Sequence, residues 1–272
     1  MAGHIRVGIG GWNFEPWRDT FYPLGLPQAR ELAYASRRLS AIEINSTFYG
    51  AQKPATFAKW RRETPEGFVF SVKAVRYATQ RRVLAQGADS IGRFVNSGIA
   101  ELGDKLGPIV WQLAPTHRFE PADLSAFLEL LPDRVDDLPL RHVLDVRHES
   151  FRCPEYLALA RRFKAGTVFT ESDDYPPIAE PTADLVYARI MRTRSEEPLG
   201  CPAEIFPALA ASARAWAAGG APTGLPGIDG APVPPVVPRD VFVFFISGAK
   251  ERAPAAAMAL RRALGEPLPA EG

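Results

Sequence analysis

Two pairs of polar residues lie two positions apart inside otherwise apolar segments of the sequence. Glu43 and Asn45 belong to the segment IEINSTFY, and Asp145 and Arg147 belong to the segment LDVRHES. Residues i and i+2 of a β-strand point to the same face, so each pair is expected to act together. A carboxylate within an apolar strand needs a partner or a raised pKa. Glu43 is therefore a candidate catalytic acid, base or ligand-orienting group, and the alternative is a buried ion pair with Lys73 or Arg147.

The second pair predicts a different role for its carboxylate. Asp145 beside the guanidinium of Arg147 has a stabilised negative charge, which suits the orientation of a partner better than proton donation. His148 follows directly, and an imidazole can carry protons near neutral pH. We therefore expect Glu43, Asp145 and His148 to form the catalytic set, with an ordinary surface-loop histidine as the alternative interpretation of His148.

Cations and aromatic residues complete the candidate site. Cations that converge in a concave site attract phosphate, sulfate or carboxylate groups, whereas pairing with nearby acidic residues is the alternative. The cations are Lys73, Arg76, Arg147, Arg189 and Arg192, and the acidic residues are Glu43, Asp145, Glu171 and Asp173. Aromatic rings offer planar faces to a sugar or a base, although aromatic residues in early loops more often serve packing. The predicted binding set is Trp12, Asn45, Tyr49, Lys73, Gln112, Arg147 and Arg189.

Eight short apolar segments, most of them followed by a longer helical pattern, position these residues. The predicted strands are Ile5–Ile9, Ala41–Asn45, Phe68–Val72, Pro108–Leu113, His142–Val146, Thr167–Thr170, Leu185–Ile190 and Val241–Ile246. Most are apolar almost throughout, which is typical of parallel strands buried on both faces. Eight sequential units without a GxGxxG motif after the first strand predict an α/β fold, a closed (β/α)8 TIM-type barrel. The candidate residues then meet at its C-terminal mouth.

The predicted helices are Gln28–Leu39, Ala55–Arg62, Ile91–Leu102, Ala122–Leu131, Glu155–Phe163, Ala203–Ala218 and Ala255–Leu264. Between the sixth and seventh strands, Tyr175–Ala183 holds only a short turn, so the sixth helix is expected to be degenerate. Residues 219–239 are rich in glycine and proline and are expected to form a mobile surface loop at the N-terminal face. Only one strand and one helix follow this loop. Residues 1–272 are therefore predicted to form a single TIM-barrel domain.

Length and composition agree with one barrel and exclude several classes of protein. The chain has 272 residues, close to the roughly 250 of a single barrel. A net charge of +1 provides no whole-molecule attraction to nucleic acid or to an anionic membrane. No apolar run approaches the ~18 residues that span a membrane, and the first residues lack the features of a signal peptide. We therefore expect a cytoplasmic protein without a membrane partner.

The sequence motifs give little support for a bound metal or an organic cofactor. Rim carboxylates could form a hard, oxygen-rich site for magnesium or manganese, but no histidine pair has metal-ligand spacing, and no residue is predicted as a metal ligand. Cys153 and Cys201 match neither a disulfide framework nor a zinc motif. No motif for an organic cofactor and no GxSxG nucleophile elbow occurs.

Several of these segments resemble the YecE-like family, catalogued as domain of unknown function 72. The resemblance begins with GGW at Gly10–Trp12, FYP at Phe21–Pro23 and the specific segment IEINSTFY at Ile42–Tyr49. It continues through FSVKA at Phe70–Ala74, LGP at Leu106–Pro108, WQL at Trp111–Leu113, DVRHESF at Asp145–Phe151, TAD at Thr182–Asp184 and VYAR at Val186–Arg189. The resemblance implies a (β/α)8 barrel and little chemistry, because the family has no established general activity. Its likeness to barrel enzymes such as endonuclease IV and xylose isomerase is an analogy of fold.

Departures from the family pattern bear on activity. Relatives usually carry glutamate at the position of Asp145 and a His-Gly pair where this chain has Met191 and Arg192. An Asn-Asn-Asp-like stretch is replaced here by the segment Ile246–Lys250. The missing histidine and aspartate would have been additional acid–base groups or metal ligands.

Two functions are consistent with these residues. The first is a hydrolase- or lyase-type enzyme that acts on a phosphorylated or sugar-like anionic substrate at the barrel mouth. The alternative, which the departures favour, is a non-catalytic binder of a small anionic ligand or of a nucleic-acid end. The substrate, the reaction and the oligomeric state do not follow from the sequence.

Overall fold

Eight parallel strands close into a barrel in the computed structural model, which describes residues 2–267. The strands are β1 (Ile5–Gly10), β2 (Ala41–Ile44), β3 (Val69–Lys73), β4 (Leu106–Gln112), β5 (His142–Asp145), β6 (Gly166–Glu171), β7 (Leu185–Ile190) and β8 (Asp240–Phe245). Each strand pairs with its neighbour in sequence, and β8 pairs with β1 to close the ring. The predicted TIM-type barrel is confirmed, with every predicted strand within two residues of its observed bounds. Residues 1 and 268–272 of the predicted domain lie outside the described residues.

Helices occupy most of the connections between strands. They are α1 (Glu31–Arg38), α2 (Ser46–Tyr49), α3 (Pro54–Glu63), α4 (Arg76–Thr79), α5 (Ala88–Val95), α6 (Pro121–Glu129), α7 (Pro154–Arg162), α8 (Ile205–Ala217) and α9 (Ala253–Ala263). Short 3₁₀ turns cover Glu15–Trp17, Gln28–Arg30, Leu84–Gly87, Ile99–Lys105, Glu149–Phe151 and Lys250–Arg252. A two-residue antiparallel ladder joins Arg134–Val135 to Leu138–Pro139. The one-turn helices α2 and α4, at the mouth ends of β2 and β3, were not predicted.

The helix predicted at Ile91–Leu102 is interrupted in the structure. Helix α5 ends at Val95, and Gly98 adopts a left-handed φ of 108° before a 3₁₀ turn begins at Ile99. A side chain at Gly98 would also come within 2.7 Å of Pro54. The helical pattern of the sequence therefore continues across a turn that requires glycine.

The connection from β6 to β7 contains no helix within residues 172–184. The glycine- and proline-rich segment 219–239 lies beside it. Its Leu225 lines a small apolar cavity together with Phe169 of β6 and Ala188 of β7. The amide of Ile228 donates to Glu180 at 2.5 Å. The end of the segment lies at the N-terminal face, as expected, where Pro235, Val237 and Arg239 line a cleft beside His4 and Asp240. The part around Leu225 extends instead along the outer face of β6 and β7, where the other units of the barrel place a helix.

The barrel interior changes from apolar to polar along the strands. Inward side chains toward the N-terminal ends form an apolar cluster of Ala41, Val69, Val110, Val143, Val168, Leu185, Tyr187, Phe242 and Phe244. Two residues further along their strands lie Glu43, Ser71, Gln112, Asp145, Thr170 and Arg189, all buried. This polar layer at the carboxyl ends lies where TIM barrels carry their sites. Among residues 2–267, no helix has both the length and the apolar character needed to cross a membrane.

Candidate active site at the barrel mouth

The guanidinium of Arg189 is the centre of the polar layer. Its Nη2 lies 2.6 Å from each carboxylate oxygen of Glu43, and its Nη1 lies 2.8 Å from Oδ2 of Asp145. The Tyr187 hydroxyl donates to Glu43 Oε2 at 2.6 Å and lies 2.9 Å from Ser71 Oγ. Burial would lower the pKa of Arg189, but the charges of Glu43 and Asp145 outweigh it and hold this pKa above its ordinary value. The layer is thus a buried network of ion pairs and hydrogen bonds centred on Arg189.

Glu43 is wholly buried, and both of its carboxylate oxygens are occupied by Arg189. The ion pair considered as an alternative for Glu43 is present, but its partner is Arg189 rather than Lys73 or Arg147. Arg189 reaches Glu43 because β7 lies across the barrel from β2. Geometry therefore favours Glu43 as a residue that positions Arg189, while its role as a catalytic acid or base stays a prediction.

Arg147 connects the buried polar layer to the mouth of the barrel. Its Nη2 donates to Gln112 Oε1 at 2.9 Å and to Asp145 Oδ2 at 3.0 Å, a contact expected from the spacing of Asp145 and Arg147. The guanidinium also lies over the ring of Tyr175, 4.4 Å from its centroid. The side chain of Arg147 is 12% exposed, against 1% for Asp145. Arg147 is therefore a fixed cation that an incoming ligand can reach.

Lys73 is a second cation at the mouth. Its Nζ lies 4.2 Å from the ring centroid of Phe48. No carboxylate oxygen of the described chain is within the 4.0 Å of an ion pair with it. Burial, followed by the positive charge of Arg189, lowers the pKa of Lys73 to about 8. The Thr47 hydroxyl donates to the Lys73 carbonyl at 2.6 Å, so the one-turn helix α2 fixes the backbone at this position.

The remaining predicted binding residues are spread around the rim. Asn45 is half-buried after β2, and a Cβ on Gly10 would lie only 2.9 Å from its Nδ2. Tyr49 is exposed to 68%. Trp12 is half-buried against Trp60, with ring centroids 5.0 Å apart, and is held by packing. Glycine at position 10 thus leaves room for Asn45 at the mouth.

His148 faces its own loop rather than the buried network. Its Nδ1 accepts a hydrogen bond from the backbone amide of Ser150 at 3.1 Å and lies 2.9 Å from the Ser150 hydroxyl oxygen. These contacts cap the turn at Glu149–Phe151. His148 lines a cleft of about 510 Å³ together with Arg147 and Tyr175. Its catalytic role stays a prediction that rests on this cleft.

Two of the five expected rim cations are engaged elsewhere. Arg192 pairs with Glu171 at 3.1 Å and with Asp173 at 2.9 Å. Arg76 is fully exposed and lies beside the ring of Tyr77. The structure therefore brings together Lys73, Arg147 and Arg189. Arg192 lines the same cleft as Arg147, but its charge is already paired.

A larger cleft lies at the opposite end of the barrel. It measures about 1010 Å³ and is lined by residues such as Arg141 and Asp240, which form an ion pair at 2.7 Å. A second cleft on the mouth side, about 500 Å³, includes Arg192 and Cys201. We place the candidate site at the mouth because the functional residues of TIM barrels lie at the carboxyl ends of the strands.

Four residues of the site were missed from the sequence: Thr47, Phe48, Ser71 and Tyr187. Ser71 and Tyr187 stand two residues before Lys73 and Arg189, so period-two spacing would have placed them on the same inward faces. Thr47 and Phe48 lie in the one-turn helix α2, which is too short to give a helical pattern.

A metal site finds no ligand set in the described part of the chain. No group of three histidine, cysteine, aspartate or glutamate side chains converges there. The inward carboxylates of Glu43 and Asp145 are bridged by Arg189 instead.

Comparison with known proteins agrees with the fold and with the sequence resemblance. The chain is similar to YecE of Escherichia coli K12, with 28% identity over 149 residues, 54% of this chain and 50% of that protein. It is also similar to YunF of Bacillus subtilis 168, with 25% identity over 188 residues, 67% of this chain and 64% of that protein. The matched regions therefore span between half and two thirds of these relatives.

Solved structures of two bacterial proteins have the same fold. A DUF72 protein of Thermotoga maritima superposes with a TM-score of 0.70 at 19% identity, covering 97% of this chain and 100% of that one. One from Enterococcus faecalis also superposes with a TM-score of 0.70, at 17% identity and 97% coverage of both chains. The family model described as "Protein of unknown function DUF72" matches residues 6–271. The chain therefore belongs to the DUF72 family.

Proposed function

We propose that this protein is an enzyme of the hydrolase or lyase type that acts on a small anionic substrate, phosphorylated or sugar-like, bound at the barrel mouth. The charge balance of the network carries the proposal. Three cations, Lys73, Arg147 and Arg189, meet two carboxylates, Glu43 and Asp145. Among these five residues the positive charges exceed the negative ones by one. That excess lies at Lys73, for which residues 2–267 supply no carboxylate within ion-pair distance, so an anion would complete the site.

The arrangement suits catalysis because its cations are held before a substrate arrives. Gln112 and Asp145 fix the guanidinium of Arg147, and a fixed positive group stabilises negative charge that develops in a transition state. With a pKa of about 8, Lys73 exchanges a proton near neutral pH, which suits general acid–base work. Asp145 would orient Arg147 and Arg189 rather than donate a proton.

A thermal-shift panel at constant ionic strength tests the proposal. The panel contains inorganic phosphate, sugar phosphates, nucleotides, short oligonucleotides and neutral sugars, each with and without magnesium or manganese. A ligand at roughly 100 times its dissociation constant adds about 2.7 kcal/mol of stability. We expect anionic sugars to stabilise the protein and neutral sugars to have no effect.

Matched variants locate the site. Lys73→Met and Arg147→Met should each abolish the stabilisation by the anion. Lys59→Met is the control, because Lys59 lies on α3 and pairs with Glu63 at 3.6 Å. It removes the same charge from the outer helix layer and should leave the stabilisation intact. Equal stabilisation of all three variants would contradict the proposed site.

A non-catalytic binder is the second candidate, and one observation favours it. Met191 and Arg192 stand where relatives usually carry a His-Gly pair, and Arg192 is paired with Glu171 and Asp173. Tyr49 and Tyr77 are exposed at the rim, to 68% and 57%, and exposed rings can stack on a sugar or base. A binder of a nucleic-acid end would show affinity that falls steeply with salt and no product from any bound ligand.

A further inference from the structure

We propose that Lys73 is a nucleophilic amine that forms an imine with the carbonyl carbon of the substrate. The inference rests on the proposed function and narrows it. The substrate would be an aldehyde or ketone that carries an anionic group, and the reaction would be of the lyase type. Arg147 would hold the anionic group beside the amine.

The position of Lys73 is fixed and accessible. It ends β3 at the mouth, and its backbone carbonyl accepts a hydrogen bond from Thr47 at 2.6 Å. The next amide, that of Ala74, donates to Val110 of the neighbouring strand at 2.9 Å. The side chain is half-buried, and its Nζ lies against the face of Phe48. The amine is thus held at the mouth with one apolar wall.

The surroundings of Lys73 meet both conditions that activate a lysine. A lysine becomes a nucleophile when it is desolvated in an apolar pocket or placed next to another cationic group. The ring of Phe48 covers one side of the amine, although its face attracts the ammonium form. The charges of Glu43 and Asp145 also favour the ammonium, whereas burial and the charges of Arg189 and Arg147 disfavour it and outweigh them. The pKa of Lys73 is therefore lowered, which leaves a reactive fraction of neutral amine near pH 7.

Two other lysines show that a lowered pKa alone is not enough. Burial also lowers the pKa of Lys105, but its Nζ donates to the carbonyls of Arg61 and Thr64 and to the Thr64 hydroxyl. Lys250 lies 4.3 Å from the ring centroid of Phe14, yet burial alone lowers its pKa, without a neighbouring cation. Lys73 combines an apolar wall, cationic neighbours and an ammonium group without an ion-pair partner.

The chemical step balances without an oxidant or reductant. The neutral amine attacks the carbonyl carbon, a C–N bond forms, and the proton that the nitrogen loses passes to the carbonyl oxygen. The resulting carbinolamine takes a second proton from water on its hydroxyl group and loses water as its C–O bond breaks, which leaves a protonated imine on Lys73. This cation accepts the electron pair of a C–H or C–C bond at the neighbouring carbon, so that a proton passes to water, or an aldehyde leaves while its hydroxyl proton passes to water, and an enamine remains. The enamine carbon takes a proton from water, which restores the protonated imine, and water then hydrolyses the C–N bond, returning the amine and releasing the product.

Two ligands, one with a carbonyl group and one without, test imine formation and anion binding separately. Glycerol 3-phosphate has no carbonyl and tests anion binding alone, by thermal shift. Glyceraldehyde 3-phosphate with sodium borohydride tests imine formation, because reduction makes the C–N bond permanent. Peptide mass spectrometry then locates the adduct among the six lysines of the chain.

We expect glycerol 3-phosphate to stabilise the protein and the adduct to form at Lys73. At pH 7 a lysine with a pKa of about 8 has roughly two to three hundred times more neutral amine than a lysine with the ordinary pKa. The adduct at Lys73 should therefore exceed that at exposed Lys59 by about tenfold or more. Lys73→Arg should remove it. Lys250→Arg, which alters the other aromatic-bound lysine, should leave it unchanged.

The other outcomes are distinguishable. Stabilisation by glycerol 3-phosphate with adducts spread over exposed lysines would overturn the imine inference and leave the proposed function standing. Absence of both effects would overturn both. An adduct at Lys73 without any stabilisation by glycerol 3-phosphate would support the amine and contradict the anion site.

Discussion

Arg189 reaches across the barrel from β7 and holds both carboxylate oxygens of Glu43 on β2, each 2.6 Å from its Nη2. The two residues are 146 positions apart in the chain. Their pair joins opposite walls of the barrel immediately below the mouth. Because both are buried, the desolvation of each charge must be offset by the other, by Asp145 and by the hydrogen bond from Tyr187 to Glu43. The site is therefore built on an ion pair that the fold needs.

The first prediction concerns Glu43→Gln. The variant leaves the buried Arg189 without its main counter-charge, and breaking one side of a buried ion pair costs about 3–5 kcal/mol. We expect a loss of that order in the free energy of unfolding, measured by urea denaturation at pH 7.

A double-mutant cycle with Arg189→Gln supplies the control. If the two side chains act as one pair, the double variant should lose less stability than the sum of the single variants, by more than about 1 kcal/mol. Losses that add to within about 0.5 kcal/mol would show that the residues are independent.

A second prediction concerns two glycines of β1. A Cβ on Gly10 would lie 2.9 Å from Asn45 Nδ2, the end of a side chain that can move. We expect Gly10→Ala to cost about 1 kcal/mol or less and to weaken the thermal stabilisation by the anionic ligand, because Asn45 is displaced from the mouth. An unchanged ligand response would show that Asn45 takes no part in binding.

Gly8→Ala is the matched control for backbone crowding. A Cβ there would lie 2.0 Å from the carbonyl oxygen of Ala41, so the strands themselves would have to separate. We expect a loss of about 3 kcal/mol or more, measured by the same denaturation. A loss no larger than that of Gly10→Ala would contradict the close approach of β1 and β2.

A third prediction concerns the segment that lies along β6 and β7. Leu225 is partly buried against the outer core, so Leu225→Ala should cost about 1–2 kcal/mol, below the range for a fully buried leucine. Val233 in the same segment is 90% exposed, and Val233→Ala should change stability by less than about 0.5 kcal/mol. Equal effects would mean that the segment does not cover the barrel wall.

Most of the fold could be predicted because the barrel strands are buried on both faces. Their near-continuous apolar character distinguishes them from the amphipathic helices between them. The two exceptions have different causes, one local and one tertiary. Helix α5 ends before Gly98, but the apolar periodicity of the sequence continues past this glycine and does not indicate the end of the helix. The position of residues 219–239 depends on tertiary packing, because the missing helix after β6 leaves an outer face that some other segment must cover.

The sequence predicted which strands carry the residues of the candidate site, but it predicted their ion-pair partners less well. Period-two spacing predicted the contact between Asp145 and Arg147, and the positions of Lys73 and Arg189 at strand ends predicted that both lie at the mouth. Which cation pairs with Glu43 depends on the diameter of the barrel and on the length of the arginine side chain. These are properties of the closed sheet rather than of any local pattern.

A fourth prediction concerns the dependence of stability on pH. The pKa of Lys73 is about 8 in the folded protein and 10.5 for an unperturbed lysine. Between these values the unfolded chain binds more protons than the folded one, so this residue makes stability rise as the pH increases from about 8 to about 10.5. We expect the difference in free energy of unfolding between the wild-type protein and Lys73→Met to shift in favour of the wild type as the pH rises across this window. A constant difference would contradict the lowered pKa.

The most direct test of the mouth as an anion site is the titration of Lys73 itself by NMR of carbon-13-labelled lysine. With six lysines in the chain, each signal can be assigned by substitution. Our account predicts that the Lys73 signal titrates near pH 8 and that inorganic phosphate raises its pKa, while Lys53 and Lys59 do not respond. A Lys73 signal that titrates with the exposed lysines near pH 10.4 and ignores phosphate would contradict it.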